Sequence, residues 1–233
     1  MPSEADHLLA ELRRLANPTE LEKVRKRLPS EEEVFGVRMR DLFDTAKAHR
    51  DMPLGEVEAL LDQSAYEARL AAFCVLDFKA RRKPTDAERA ALCEIYLRRH
   101  DRITSWDMVD RAAPHVVGGH LAGRNLQPLH QLAGGQPLQR RTAITAPLYF
   151  IGKGSDEDMA GAFAIAGRLA QDPDPVVHNA VGIFLKHAGG RDRDRLEVFL
   201  STYAAAMPRA ALRLAIEKLP ADERGRHLRA GRP

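Results

Sequence analysis

The side chains best suited to bond-breaking chemistry in this sequence lie in Ser105-Trp106-Asp107-Met108-Val109-Asp110. Trp106 is the sole tryptophan, and at a spacing of four its indole and the Asp110 carboxylate share one face of a helix. A fixed carboxylate stabilises developing positive charge or accepts a proton from water, and the electron-rich face of an indole attracts a cation. The pair therefore suits a reaction whose transition state gains positive charge. The same spacing also fits an indole filling the core, with Asp110 as a solvated charge. Ser105, or Thr104 before it, is the expected N-cap. Further along, Gln139-Arg140-Arg141-Thr142-Ala143-Ile144 offers guanidinium groups, whose planar forks of donors suit phosphate.

These residues need helices to hold them, and the sequence supplies little else. Aromatic residues are only 6% of the chain, β-branched runs are few, and apolar residues recur at helical rather than alternating spacing, as at Leu8, Leu9, Leu12 and Leu15. Ser3 and Asn17-Pro18 read as helix starts. Pro29, Gly36, Pro53, Pro84, Gly134-Gly135, Gly152, Gly154, Pro173, Pro175, Gly189-Gly190, Pro208 and Pro220 read as breakers between helices. Arg69-Leu70-Ala71-Ala72, Arg141-Thr142-Ala143-Ile144 and Arg213-Leu214-Ala215-Ile216 recur 72 residues apart each time, twice a helix-pair unit of about 36 residues, a period of the α-solenoid range. Asp172-Pro173-Asp174-Pro175 reads as a turn entering a second helix, with Asp174 capping it and Pro175 in its first turn. The expected fold is all-α, an α-α superhelix of antiparallel helix pairs forming a HEAT-like repeat solenoid. It is expected to make one domain over residues 1–233, with Trp106, Asp110 and Arg141 on its concave side.

A formal charge of +3 is too small to argue for a nucleic-acid partner by itself. The basic clusters Arg25 to Arg27, Arg38 to Arg40, Lys79 to Lys83, Arg98 to Arg102 and Arg140-Arg141 also fit solvated helix ends. The two cysteines, Cys74 and Cys93, have neither pairing nor metal spacing and read as buried free thiols. No segment has the pattern of a signal peptide or a membrane span. A cytoplasmic monomer is expected.

Ser105-Trp106-Asp107-Met108-Val109-Asp110, then Ala113-Pro114-His115-Val116-Val117-Gly118, Arg140-Arg141-Thr142-Ala143-Ile144 and His178-Asn179-Ala180-Val181-Gly182 resemble, in order, the motifs of the AlkD-type DNA alkylation repair glycosylases. Similar flanks occur at Phe35-Gly36-Val37 and Tyr66-Glu67-Ala68-Arg69-Leu70-Ala71. The resemblance implies HEAT-like repeats that wrap a duplex, with Trp106 as reactive aromatic, Asp110 as catalytic carboxylate and Arg141 facing a phosphate. Arg140, Lys153, His178 and Asn179 are the further expected DNA contacts. It implies double-stranded DNA containing alkylated bases as partner and excision of cationic purines such as 7-methylguanine and 3-methyladenine without a closed base pocket. No metal or cofactor is called for. The sequence departs from the family at Leu138 and Ile183, where the family often has aromatics, and lacks a clear counterpart of its N-terminal tyrosine. Those losses also fit a non-catalytic protein that binds distorted or branched DNA. A HEAT-like protein-interaction scaffold is a further reading of the repeats.

Overall fold

The computed structural model describes residues 2–229. The protein is all-α: helices follow one another with no strand among the described residues, and an isolated bridge joins Glu33 to Ala65. The helix starts at Ser3, Asn17 and Asp174 are those the sequence marks. Ser3 caps the Glu4–Arg14 helix in a reciprocal box with Asp6, Asn17 accepts the Thr19 N–H at 2.9 Å ahead of the Pro18–Arg25 helix, and Asp174 accepts the Val176 N–H at 2.9 Å with Pro175 in the first turn. Each satisfies backbone donors that a helix N-terminus leaves open. Arg69, Arg141 and Arg213 fall at the fourth or fifth residue of the Tyr66–Arg81, Pro137–Thr145 and Arg209–Ala215 helices, so the sequence repeat is also a register of helices.

The chain clusters into two compact units, divided between Val116 and Val117. The first unit is built around the Tyr66–Arg81 helix, whose Leu70, Phe73, Cys74, Val75 and Leu76 are buried on every side, as expected of a central helix. It packs against the Met39–Ala48, Leu54–Leu61 and Trp106–Ala113 helices. Glu67 is also fully buried. Its carboxylate accepts the backbone N–H groups of Phe35, Gly36 and Val37 at 3.0, 2.8 and 3.2 Å, which compensates the cost of taking a charge out of water. The turn it holds needs Gly36, which sits at φ +84°, where a Cβ would lie 2.7 Å from the Asn17 carbonyl oxygen.

The second unit is organised by the Pro175–Arg191 helix, which packs on the Pro137–Thr145 and Arg209–Ala215 helices through buried Val177, Val181, Phe184 and Leu185. Gly189-Gly190 does not break this helix as its sequence suggests. The helix runs through both glycines to Arg191. A Cβ at Gly189 would lie 2.2 Å from Leu196 Cδ2, so the glycine admits a close-packed side chain from the next helix, a use that outweighs its low helix propensity. Gly152 likewise lies inside a short helix, Phe150–Lys153. Cys74 and Cys93 are buried free thiols, and burial pushes both up to about 12.

Candidate functional site

Trp106 is the first residue of the Trp106–Ala113 helix and remains 45% exposed. Asp110 follows one turn later, half-buried. This face stays outward because the neighbouring stripe of the same helix, Asp107, Arg111 and His115, is turned toward the Tyr66–Arg81 helix. Residues four apart stack on one side of a helix, and here both ends of the stripe are gripped. At the N-terminal end, Asp107 accepts hydrogen bonds from the Tyr66 and Ser105 hydroxyls and pairs with Arg27 at 3.1 Å. At the other end, fully buried Asp77 lies 3.1 Å from Arg111 Nη2 and 3.3 Å from His115 Nδ1, and accepts from Arg81 Nε at 2.8 Å. The Arg111 guanidinium is stacked between the rings of Phe43 and Phe78, 4.7 and 4.6 Å from their centroids. Ser105 occupies the N-cap position, but its hydroxyl goes to Asp107 and caps no backbone N–H; the carboxylate two residues on is the stronger acceptor. The helix then widens into a π-helical turn, Pro114–Gly118.

The expected DNA contacts lie in the second unit. Lys153 and Asn179 are exposed. Arg140 makes a two-pronged ion pair with Asp172, at 2.6 and 3.0 Å, and donates to the Gly135 carbonyl at 2.7 Å. Its hydrogen bond to Asp172 raises its already high pKa further. Arg141 is 4% exposed and donates to the Val176 carbonyl. His178 shares a 2.6 Å hydrogen bond with the Asp172 carbonyl, and Asp172 also accepts the Asp174 N–H at 2.9 Å. Arg140, Arg141 and His178 thus converge on the turn that begins the Pro175–Arg191 helix. Leu138 and Ile183, at the family's aromatic positions, are both half-buried.

Over residues 8–219 the chain matches the family model described as DNA alkylation repair enzyme. The chain belongs to that family. The fold agrees: a solved structure described as a predicted DNA alkylation repair enzyme from Enterococcus faecalis superposes with a TM-score of 0.65 at 16% identity, covering 88% of this chain and 97% of that one. No curated protein matches it. Family membership gives the protein a role in DNA alkylation repair, with DNA as its substrate. No helix among the described residues is long and apolar enough to cross a membrane.

The structure adds residues that reading the sequence missed: Asp107, Arg111 and His115, with their partners Arg27, Tyr66 and Asp77. Ionisable residues at 107, 111 and 115 were a visible signal, since such a stripe beside the Trp106 and Asp110 face marks a second side of the helix with polar work of its own.

Proposed function

We propose that the protein is a DNA N-glycosylase that excises cationic alkylated purines, such as 7-methylguanine and 3-methyladenine, from duplex DNA, acting as a cytoplasmic monomer without a cofactor. The observation that carries this reading is the half-exposed Trp106 with Asp110 one turn away, on a helix whose adjacent stripe is locked in buried ion pairs. Alkylation at a purine ring nitrogen leaves the base positively charged, hence a good leaving group. As the glycosidic bond breaks, its electron pair goes to the base, which departs neutral, and the sugar becomes an oxocarbenium ion. Asp110 stabilises that cation and takes a proton from the attacking water, whose oxygen bonds to C1′ to leave an abasic site. The Trp106 face attracts the same cation.

Lys153 and Asn179, both exposed, contact the DNA backbone in this reading and position it without reading sequence, and Arg141 joins them by releasing the Val176 carbonyl. Arg140 and His178 contribute through the Asp172–Val176 turn that they brace. The test is incubation with methylated duplex DNA and quantification of free 7-methylguanine and 3-methyladenine, beside the Asp110→Asn variant. Salt-dependent duplex binding with no base released would favour the non-catalytic DNA binder, the reading that Leu138 and Ile183 support.

A further inference from the structure

The residues around Trp106 are fixed far more firmly than an exposed helix start requires. Ile103 and Ser105 are 5% and 8% exposed, and Met108 and Val109 are fully buried. Thr104 donates to Glu32 at 3.0 Å and accepts from Arg69 at 3.3 Å. Asp107, joined to Trp106 by one peptide bond, is held from three separate segments, by two hydroxyl donors and one ion pair. Arg27 comes from the turn after the Pro18–Arg25 helix, Tyr66 from the first residue of the Tyr66–Arg81 helix, and Ser105 from the connection before Trp106. Arg27 also donates to the Tyr66 hydroxyl at 3.1 Å and lies over its ring, 5.7 Å from the centroid. Amid this stretch the Trp106 residue is 45% exposed.

We propose that Arg27, Tyr66 and Asp107 form a positioning device that sets the backbone carrying Trp106, making the N-terminal turn at Arg27 a working part of the site. Holding the first helical turn from three directions leaves the indole little more than its own side-chain torsions, and reacting groups ordered in advance lose less entropy when substrate arrives. Burial first, then the neighbouring Asp107 charge, pushes the Tyr66 phenol well above its ordinary range, so it stays a donor at any pH of use. These three contacts commit Asp107 to this scaffold, and Asp110 is the carboxylate on the Trp106 side of the helix.

The kinetic part of this inference rests on the glycosylase reading; the spectroscopic part does not, because Trp106 is the sole tryptophan and its fluorescence reports this position alone. Tyr66→Phe keeps the ring under Arg27 and removes only the hydroxyl. We expect Trp106 anisotropy to fall and its quenching by acrylamide to rise about twofold as the indole gains motion. Single-turnover excision should slow on the order of tenfold, with duplex affinity unchanged. Asp107→Asn, which retains an acceptor oxygen, should fall between the parent and Asp107→Ala. Val57→Ala, a cavity in the core of the same unit, is the control for general loosening and should leave the Trp106 signal alone. A folded Tyr66→Phe protein with unchanged anisotropy and quenching would overturn the proposal, as would a Val57→Ala variant that altered them equally. If the parent released no base, the glycosylase reading would fall while the fluorescence series still decided this one.

Discussion

The two units use the polar residues of their motifs in opposite ways. In the first, the Trp106–Ala113 helix divides its labour. Asp107, Arg111 and His115 are locked against neighbours while Trp106 and Asp110 face outward. In the second, both arginines of the Arg140-Arg141 pair are engaged internally, one by Asp172 and Gly135, the other by Val176. Arg69, at the same repeat position as Arg141, behaves like Arg141 rather than like Trp106. It too is 4% exposed, and it donates to the carbonyls of Gln63 and Ser64 at 3.0 and 2.6 Å and pairs with Glu32. Burial, with the nearby Arg102 charge, lowers its pKa to about 10. At these two positions the recurring arginine is a brace that ties its helix to a backbone carbonyl, in a loop for Arg69 and in the first turn of the Pro175–Arg191 helix for Arg141, whereas Arg213 is exposed. The Trp106–Ala113 helix adds to such bracing a second polar face turned outward, with Trp106 45% exposed.

The largest effect that would test this division comes from Asp110→Asn. The substitution keeps shape and removes the charge that faces the oxocarbenium, so single-turnover release of 7-methylguanine should fall on the order of 100-fold, roughly 3 kcal/mol. Duplex affinity should hold or rise slightly, because a repulsion with phosphate is relieved. Excision within about threefold of the parent would place Asp110 among the passive surface charges and erase the contrast between the two units.

Much of this was legible in the sequence because it depends on local rules. Caps at Ser3, Asn17 and Asp174, the proline at Pro175 and the Arg69, Arg141, Arg213 register follow from the backbone needs of helix starts and from a repeated element. The four-residue spacing that joins Trp106 to Asp110 is equally local. What was not legible depends on partners distant in the chain. Which carboxylate of the helix meets Tyr66 and Arg27 turns on where those two residues lie, and whether Arg141 meets solvent turns on the Val176 carbonyl. Gly189-Gly190 reads as a break unless the close approach of Leu196 is known. Ser105 was expected to cap through its side chain, and only its contact with Asp107 shows why it does not.

A second effect, on stability alone, should come from acid. His100 lies in the short turn leading to Thr104 and Trp106, is 7% exposed and stacks edge-on to Tyr96, 5.8 Å between centroids. Burial holds its pKa down to about 4 against 6.5 for the free side chain. The unfolded chain therefore gains a proton first as pH falls. The stability contribution is complete above about pH 6.5 and is lost progressively down to about pH 4, amounting to about 3 kcal/mol. Melting curves of the parent should drop through that window, and His100→Gln should flatten the drop even if its neutral-pH stability is lower. An unchanged pH profile in the variant would assign the acid sensitivity elsewhere.

Arg141→Ala tests whether the brace and the phosphate contact are one residue. Removing a buried donor from the Val176 carbonyl should cost roughly 2 kcal/mol, read as a Tm lower by a few degrees. If Arg141 also meets a phosphate, the slope of log affinity against log salt should flatten by about one unit. A fall in Tm with an unaltered salt slope would make Arg141 a brace only, and the two units would then share no DNA-facing arginine at this register.

The smallest expected effect belongs to Lys153, and its value lies in its contrast with Arg140. Lys153 is exposed at the end of a four-residue helix, so its removal leaves no buried group without a partner, and Lys153→Ala should leave Tm close to that of the parent. As a backbone contact it releases counterions when it meets a phosphate, so the variant should bind every duplex sequence more weakly and with a salt slope smaller by about one unit. Arg140→Ala should show the reverse. Loss of the pair to Asp172, whose side chain is 4% exposed, strands a buried carboxylate and should lower Tm, while the salt slope changes little, because the guanidinium is already neutralised inside the protein. Finding that both variants change the slope equally, with equal Tm, would show that the Asp172 pair opens when DNA arrives, and the second unit would then present to the duplex the arginine that its unbound form keeps for itself.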